Sequence, residues 1–79
     1  MTPHDIEQLI SAGLPGCSVR VASDDNTHFA AVVVSAEFAD KRPLQRHQMV
    51  YRALGDAMGG EIHALSIEAL TPEEQAAGA

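Results

Sequence analysis

Two apolar stretches, residues 31–34 and residues 62–69, stand on either side of one helix-length segment that opens at Pro43 and closes at Gly59-Gly60. That spacing constrains the fold more than any other feature of the chain. Two strands joined by a helical crossover can lie in one sheet, with the helix packed on its face. A further strand precedes them. Cys17, Val19 and Val21 alternate with Ser18 and Arg20, which is the period of a half-buried strand. Asp24-Asp25-Asn26 then makes a turn, because these side chains bond their own backbone and asparagine tolerates positive φ. The turn is short, so this strand and the next, which runs from His28 to Val34, pair as an antiparallel hairpin. The run Ala31-Val32-Val33-Val34 reads as buried on both faces.

Helices fill the rest. Thr2 suits an N-cap, Pro3 the first helical position, and Asp5 the first turn, where a carboxylate complements the helix dipole. Ile6, Leu9, Ile10 and Leu14 form one apolar stripe, and Gly13 reads as a left-handed residue closing the helix. Pro15-Gly16 turns the chain. Ser35 caps a single helical turn ending near Phe38, and residues 39–42 form a polar connector. On the main helix, Leu44, His47, Val50, Tyr51, Leu54 and Met58 make the apolar-leaning face. Thr71-Pro72-Glu73-Glu74 is a capping box, and the tail, residues 75–79, reads as frayed. The order is α-β-β-α-β-α, an α+β pattern.

Seventy-nine residues make one domain, residues 1–79. A chain of this size buries only about 60% of the surface its unfolded form exposes, so the core is thin. The single cysteine, Cys17, excludes an intramolecular disulfide and suits a reducing compartment. No apolar run approaches the ~20 residues of a membrane span. The first residues lack the basic segment and apolar core of a signal peptide. The expected location is the cytoplasm, without membrane contact.

Charge is unevenly placed. The net value is −6. Residues 1–40 carry one base against six acids, and residues 61–79 carry four glutamates and no base. Residues 41–60 reverse the sign, with Lys41, Arg42, Arg46 and Arg52 against Asp56. An acidic body binds nucleic acid poorly without a broad basic surface. One basic segment on it marks either a limited, specific contact or a solvated helix face.

No nucleophile stands in a Ser–His–Asp or Cys–His order, and no glycine-rich phosphate loop exists, so no catalytic set is expected. Four histidines and one cysteine remain as candidates. His63 opens the last apolar strand, and imidazole ligates iron and zinc well. On residue type alone, a histidine there is more often structural or solvated than a ligand. His28 begins the second strand. Cys17, a softer ligand when ionised, also fits a core or hairpin-edge position. His47 reads as half-buried and structural, and His4 matches no pattern.

Ile62-His63-Ala64-Leu65-Ser66-Ile67-Glu68-Ala69-Leu70-Thr71-Pro72-Glu73-Glu74, read with Thr27-His28-Phe29 and Arg46-His47-Gln48-Met49-Val50-Tyr51, resembles the BolA family and its short IbaG-like branch. The likeness spans residues 6–74. It implies a class II KH-like fold: a three-stranded mixed sheet with helices on one face. It implies a partner of a monothiol glutaredoxin that shares a [2Fe–2S] cluster with it and with glutathione, in iron–sulfur trafficking or iron homeostasis. In such proteins the histidine of the Ile-His-Ala segment is a cluster ligand, which His63 matches. The family's second ligand is a cysteine or histidine of the first hairpin loop. Residues 23–27 contain neither, and His28 lies one step beyond, so the second ligand is open between His28, Cys17 and a partner group. The family has glycine where this chain has Asp40, a second arginine where it has Gln48, and often a tryptophan where it has Gln75. The family's links to transcription and stress response give the alternative: a nucleic-acid-binding regulator working weakly through Lys41, Arg42, Arg46 and Arg52 on a helix-turn-helix-like surface.

Overall fold

The computed structural model describes residues 1–78. The chain runs α1 (Pro3–Gly13), β1 (Ser18–Ala22), β2 (His28–Val34), a 3-10 turn (Ala36–Phe38), α2 (Pro43–Leu54), a second 3-10 turn (Gly55–Ala57), β3 (Ala64–Leu70) and α3 (Pro72–Gly78). β2 is the central strand, antiparallel to β1 and parallel to β3. The sheet is therefore mixed, as a hairpin followed by a crossover requires.

Strand alternation sends Phe29, Ala31 and Val33 of β2 to one face. There they join Ile6 and Ile10 of α1, Val50 and Leu54 of α2, Phe38 and Ile62 in a single buried cluster. The other face carries His28, Ala30, Ser66 and Glu68, all exposed. Val32 is only half-buried for that reason, whereas Val34 farther along the same face is buried, so the expectation of burial on both faces fails at Val32 and holds at Val34. α1 begins as read: Thr2 Oγ1 accepts from the Asp5 N–H at 3.3 Å, and Asp5 Oδ2 accepts from the Thr2 N–H at 2.9 Å.

Gly13 has a different task from the one expected. It is the last helical residue of α1, and a Cβ placed on it would lie 2.4 Å from the Cβ of Ala53 in α2. Glycine here lets two helices touch. The left-handed residue after α1 is Gly16, with φ +83°. The turn before α2 is made by Asp40 at φ +63°, a conformation that glycine adopts without strain.

α2 stops at Leu54, ahead of Gly59-Gly60, because Gly55 leaves the helix at φ +57°. Its inward stripe is Arg46, Val50 and Leu54, with His47 and Ala53 half-buried alongside. Leu44 and Tyr51 face outward instead, 69% and 39% exposed. Ile62 is fully buried but precedes the strand. Its N–H is held by the Ala57 carbonyl at 2.9 Å and its own carbonyl by the Gly59 N–H at 3.0 Å, so it closes the turn rather than joining the β2 ladder. The tail is more ordered than expected. Thr71 Oγ1 accepts from the Glu74 N–H and Glu74 Oε1 from the Thr71 N–H, and α3 continues through Gly78. Ala79 lies outside the described residues.

Candidate functional site

The parallel pairing of β2 with β3 begins at His28 opposite Ala64. His63 immediately precedes Ala64, so the two histidines come to one end of the sheet although 35 positions separate them. With strands ~4.8 Å apart and a rise of ~3.3 Å per residue, their α-carbons lie roughly 6 Å from each other. Alternation gives His28 the parity of Ala64 and Ser66, on the open face, and His63 the parity of Leu65. A group held by both histidines must therefore sit at the end of the sheet. His63 is exposed there.

His28 is oriented by its own loop. Asp25 Oδ1 accepts from the N–H groups of Thr27 and His28, each at 2.9 Å. That leaves Asp25 Oδ2 facing His28 Nδ1 at 3.0 Å. These backbone and ring hydrogen bonds hold the Asp25 carboxyl well below the usual carboxylate range. Ser23 Oγ accepts from the Asn26 N–H at 2.9 Å and donates to the His28 carbonyl at 2.6 Å, while Asn26 takes φ +56°. Beside the ring, Ala22, Ser23, Asp24, Phe29, Ala30 and Ser66 border a shallow depression of about 350 Å³.

Cys17 is at the other end. It adjoins Ser18, which pairs with Val34, six residues along β2 from His28. That distance is roughly 20 Å, beyond any shared coordination. Burial pushes its thiol up, toward the protonated form. Cys17 and His28 therefore cannot act on one metal together. Among the described residues, no three His, Cys, Asp or Glu side chains gather as a metal site. The polar partners of His4 among the described residues are Gln8 and Glu7, both on α1.

The basic segment divides. Lys41, Arg42 and Arg52 are exposed. Arg42, with no side-chain acceptor, leaves α2 only half a capping box, its N–H on Gln45 Oε1 at 2.9 Å. Arg46 is turned inward. Its guanidinium donates to the carbonyls of Lys41 at 3.0 Å and Ala69 at 3.1 Å, and grips the Glu74 carboxylate. Its charge also lies 5.9 Å from the Phe38 ring centroid. The Arg46 hydrogen bonds, then the Thr71 N–H, bring the Glu74 carboxyl down to about 2. Sequence reading missed both carboxylates. Local sequence rules assign Asp25 to turn chemistry and Glu74 to a cap; each also orients another side chain, His28 and Arg46 respectively. The signal for Asp25 was its position three residues before His28.

The family model for BolA-like protein matches residues 13–74. This chain belongs to the BolA-like family. Among BolA-like relatives, human BolA-like protein 1 is 46% identical over 74 residues, 94% of this chain and 51% of that protein. A protein described as the DNA-binding transcriptional regulator BolA, from Haemophilus influenzae, is 46% identical over 48 residues, 61% of this chain and 47% of the other. The chain thus spans about half the length of these BolA-like relatives. A BolA homologue from Coxiella burnetii superposes with TM-score 0.81 at 45% identity, covering 96% of this chain and 97% of that one. The class II KH-like arrangement implied by the resemblance is the arrangement observed.

Proposed function

We propose that this protein is a partner of a monothiol glutaredoxin and shares a [2Fe–2S] cluster with it and glutathione, in iron–sulfur trafficking or iron homeostasis. The observation that carries this reading is the pairing of β2 with β3, which puts His28 opposite Ala64, the neighbour of His63, so that both histidines lie at one exposed end of the sheet. Imidazole nitrogens replace cysteines on one iron of some two-iron clusters. The donor set fits such a role on one count in particular: Asp25 engages Nδ1 of an exposed His28 ring, which leaves Nε2 as the nitrogen for a ligand. Two imidazoles leave the remaining ligand positions to a partner, so the cluster is held between proteins and is cargo rather than a resident cofactor. This is a binding function, not catalysis. It suits the reducing cytoplasm, where the Cys17 thiol and glutathione both persist.

The test is anaerobic co-purification with a monothiol glutaredoxin and glutathione. A coloured heterocomplex, with no stable cluster on this protein alone, is the expected result. A cluster held by this protein alone removes the shared-ligand reading.

A DNA-binding role is the second reading, favoured by the bacterial relative described as a DNA-binding regulator. The internal bonds of Arg46 leave Lys41, Arg42 and Arg52 for phosphate contacts. Each neutralised phosphate contributes about −0.9 to the slope of log affinity against log salt, so so few contacts allow only weak, salt-sensitive binding. Sequence-specific duplex binding at physiological salt would reverse the ranking.

A further inference from the structure

We propose that Asp25 is the positioning residue of His28, fixing the imidazole as the Nδ1–H tautomer so that Nε2 is the lone-pair donor. This rests on the reading of His28 as a cluster ligand and deepens it.

The geometry leaves the carboxylate little freedom. Its Oδ1 is occupied by two backbone N–H groups, those of Thr27 and His28, at 2.9 Å each. The plane of the carboxylate is thereby set, and Oδ2 points at Nδ1 from 3.0 Å. Ionised carboxylate oxygens only accept, so Nδ1 must carry a proton. In a neutral ring the other nitrogen is then bare. Ser23 holds the loop in this shape through Asn26 and the His28 carbonyl. The ring itself is not packed away: its side chain is 74% exposed, and Nε2 is the ring nitrogen that Asp25 leaves free of itself. A rigid support beneath an exposed imidazole is what a ligand needs, since carboxylates behind ligating histidines fix both tautomer and ring direction.

Asp25→Asn gives a sharp test, because it changes one atom's role and not the turn. The amide oxygen can keep both backbone N–H groups. The amide nitrogen then replaces Oδ2, and it can only donate. His28 Nδ1 must become the acceptor, and its proton moves to Nε2, closing that nitrogen to a metal.

The experiment is long-range 15N NMR of the histidine rings in the metal-free protein, at a pH where the imidazoles are neutral. The wild-type His28 ring should be protonated at Nδ1, and the Asp25→Asn ring at Nε2. Ser23→Ala, which loosens the loop but keeps the carboxylate, should retain Nδ1–H. In parallel, the amount of protein needed to form the coloured complex with glutaredoxin and glutathione should rise about 10-fold or more for Asp25→Asn. A wild-type ring protonated at Nε2, or one unchanged by Asp25→Asn, overturns the proposal whatever the cluster does. So does a flipped tautomer with unaltered complex formation. His28→Ala then separates the two ideas. If it weakens the complex, His28 is a ligand that needs no positioning by Asp25. If it does not, the ligand role of His28 falls as well.

Discussion

Arg46 and Glu74 meet as two planes, Nη1 on Oε1 at 2.6 Å and Nη2 on Oε2 at 3.2 Å, across 28 positions of sequence. The same arginine reaches the Ala69 carbonyl at the end of β3 and the Lys41 carbonyl ahead of α2. One side chain thus fastens the main helix, the last strand and the last helix. Arg46→Ala removes every one of these bonds from a site where the arginine side chain is only 12% exposed. The expected cost is about 2 kcal/mol, read as a lower urea midpoint with little change in slope. Arg46→Lys should recover only part of it, because an ammonium cannot match the carboxylate in two prongs. A midpoint unmoved by Arg46→Ala would show that α3 is held by other means.

The same pair predicts a pH dependence. Glu74 has a folded-state pKa lowered to about 2, from an ordinary value of 4.5. Its stabilising contribution is complete above the unfolded value and is lost as pH falls through the interval down to about 2. Stability should decline over that acid range in the wild type, and less steeply in Glu74→Gln. Asp25 and Asp5, also depressed, supply the slope that remains. Identical acid slopes in wild type and variant would contradict the assignment.

Gly13→Ala inverts a familiar rule. Alanine in place of a helical glycine ordinarily stabilises by nearly 1 kcal/mol. Here the new methyl would meet Ala53 at 2.4 Å, so the two helices must part. A net loss of about 1–3 kcal/mol is expected. Calorimetry of the double variant Gly13→Ala/Ala53→Gly decides the cause, since returning the space should restore most of the midpoint.

His63→Ala should remove the histidine-ligated absorbance of the glutaredoxin complex while leaving the fold intact. The residue is exposed, so truncation should cost no more than about 0.5 kcal/mol. Cys17→Ala, at the opposite end of the sheet, should leave the spectrum unchanged. The reverse pattern would assign the chemistry to the thiol.

Local rules were enough to find most elements. Thr2, Ser35 and Thr71 each cap where their hydroxyls predicted, and β2 begins at His28 and ends at Val34 as its apolar run indicated. The misreadings lie where a distant contact decides. Gly13 is glycine because of Ala53, 40 positions away, and no local pattern reports that. Leu44 and Tyr51 have helical spacing with the core residues, yet the inward place on that turn belongs to Arg46, through its long-range bonds to Ala69 and Glu74. At the candidate site, His28 and His63 were legible as residues. Their adjacency depends on the β2–β3 register, and the orientation of His28 depends on a carboxylate that local reading gave to the turn.

Glu7 of α1 accepts a hydrogen bond from the Val21 N–H at 2.9 Å, on the outer side of β1. An outer strand normally offers such amides to any passing chain, the first step in open-ended stacking of sheets. Here the protein's own first helix has already answered that donor. Growth of the sheet is thus discouraged at that point of β1. The first helix takes one amide of that border out of reach of other chains.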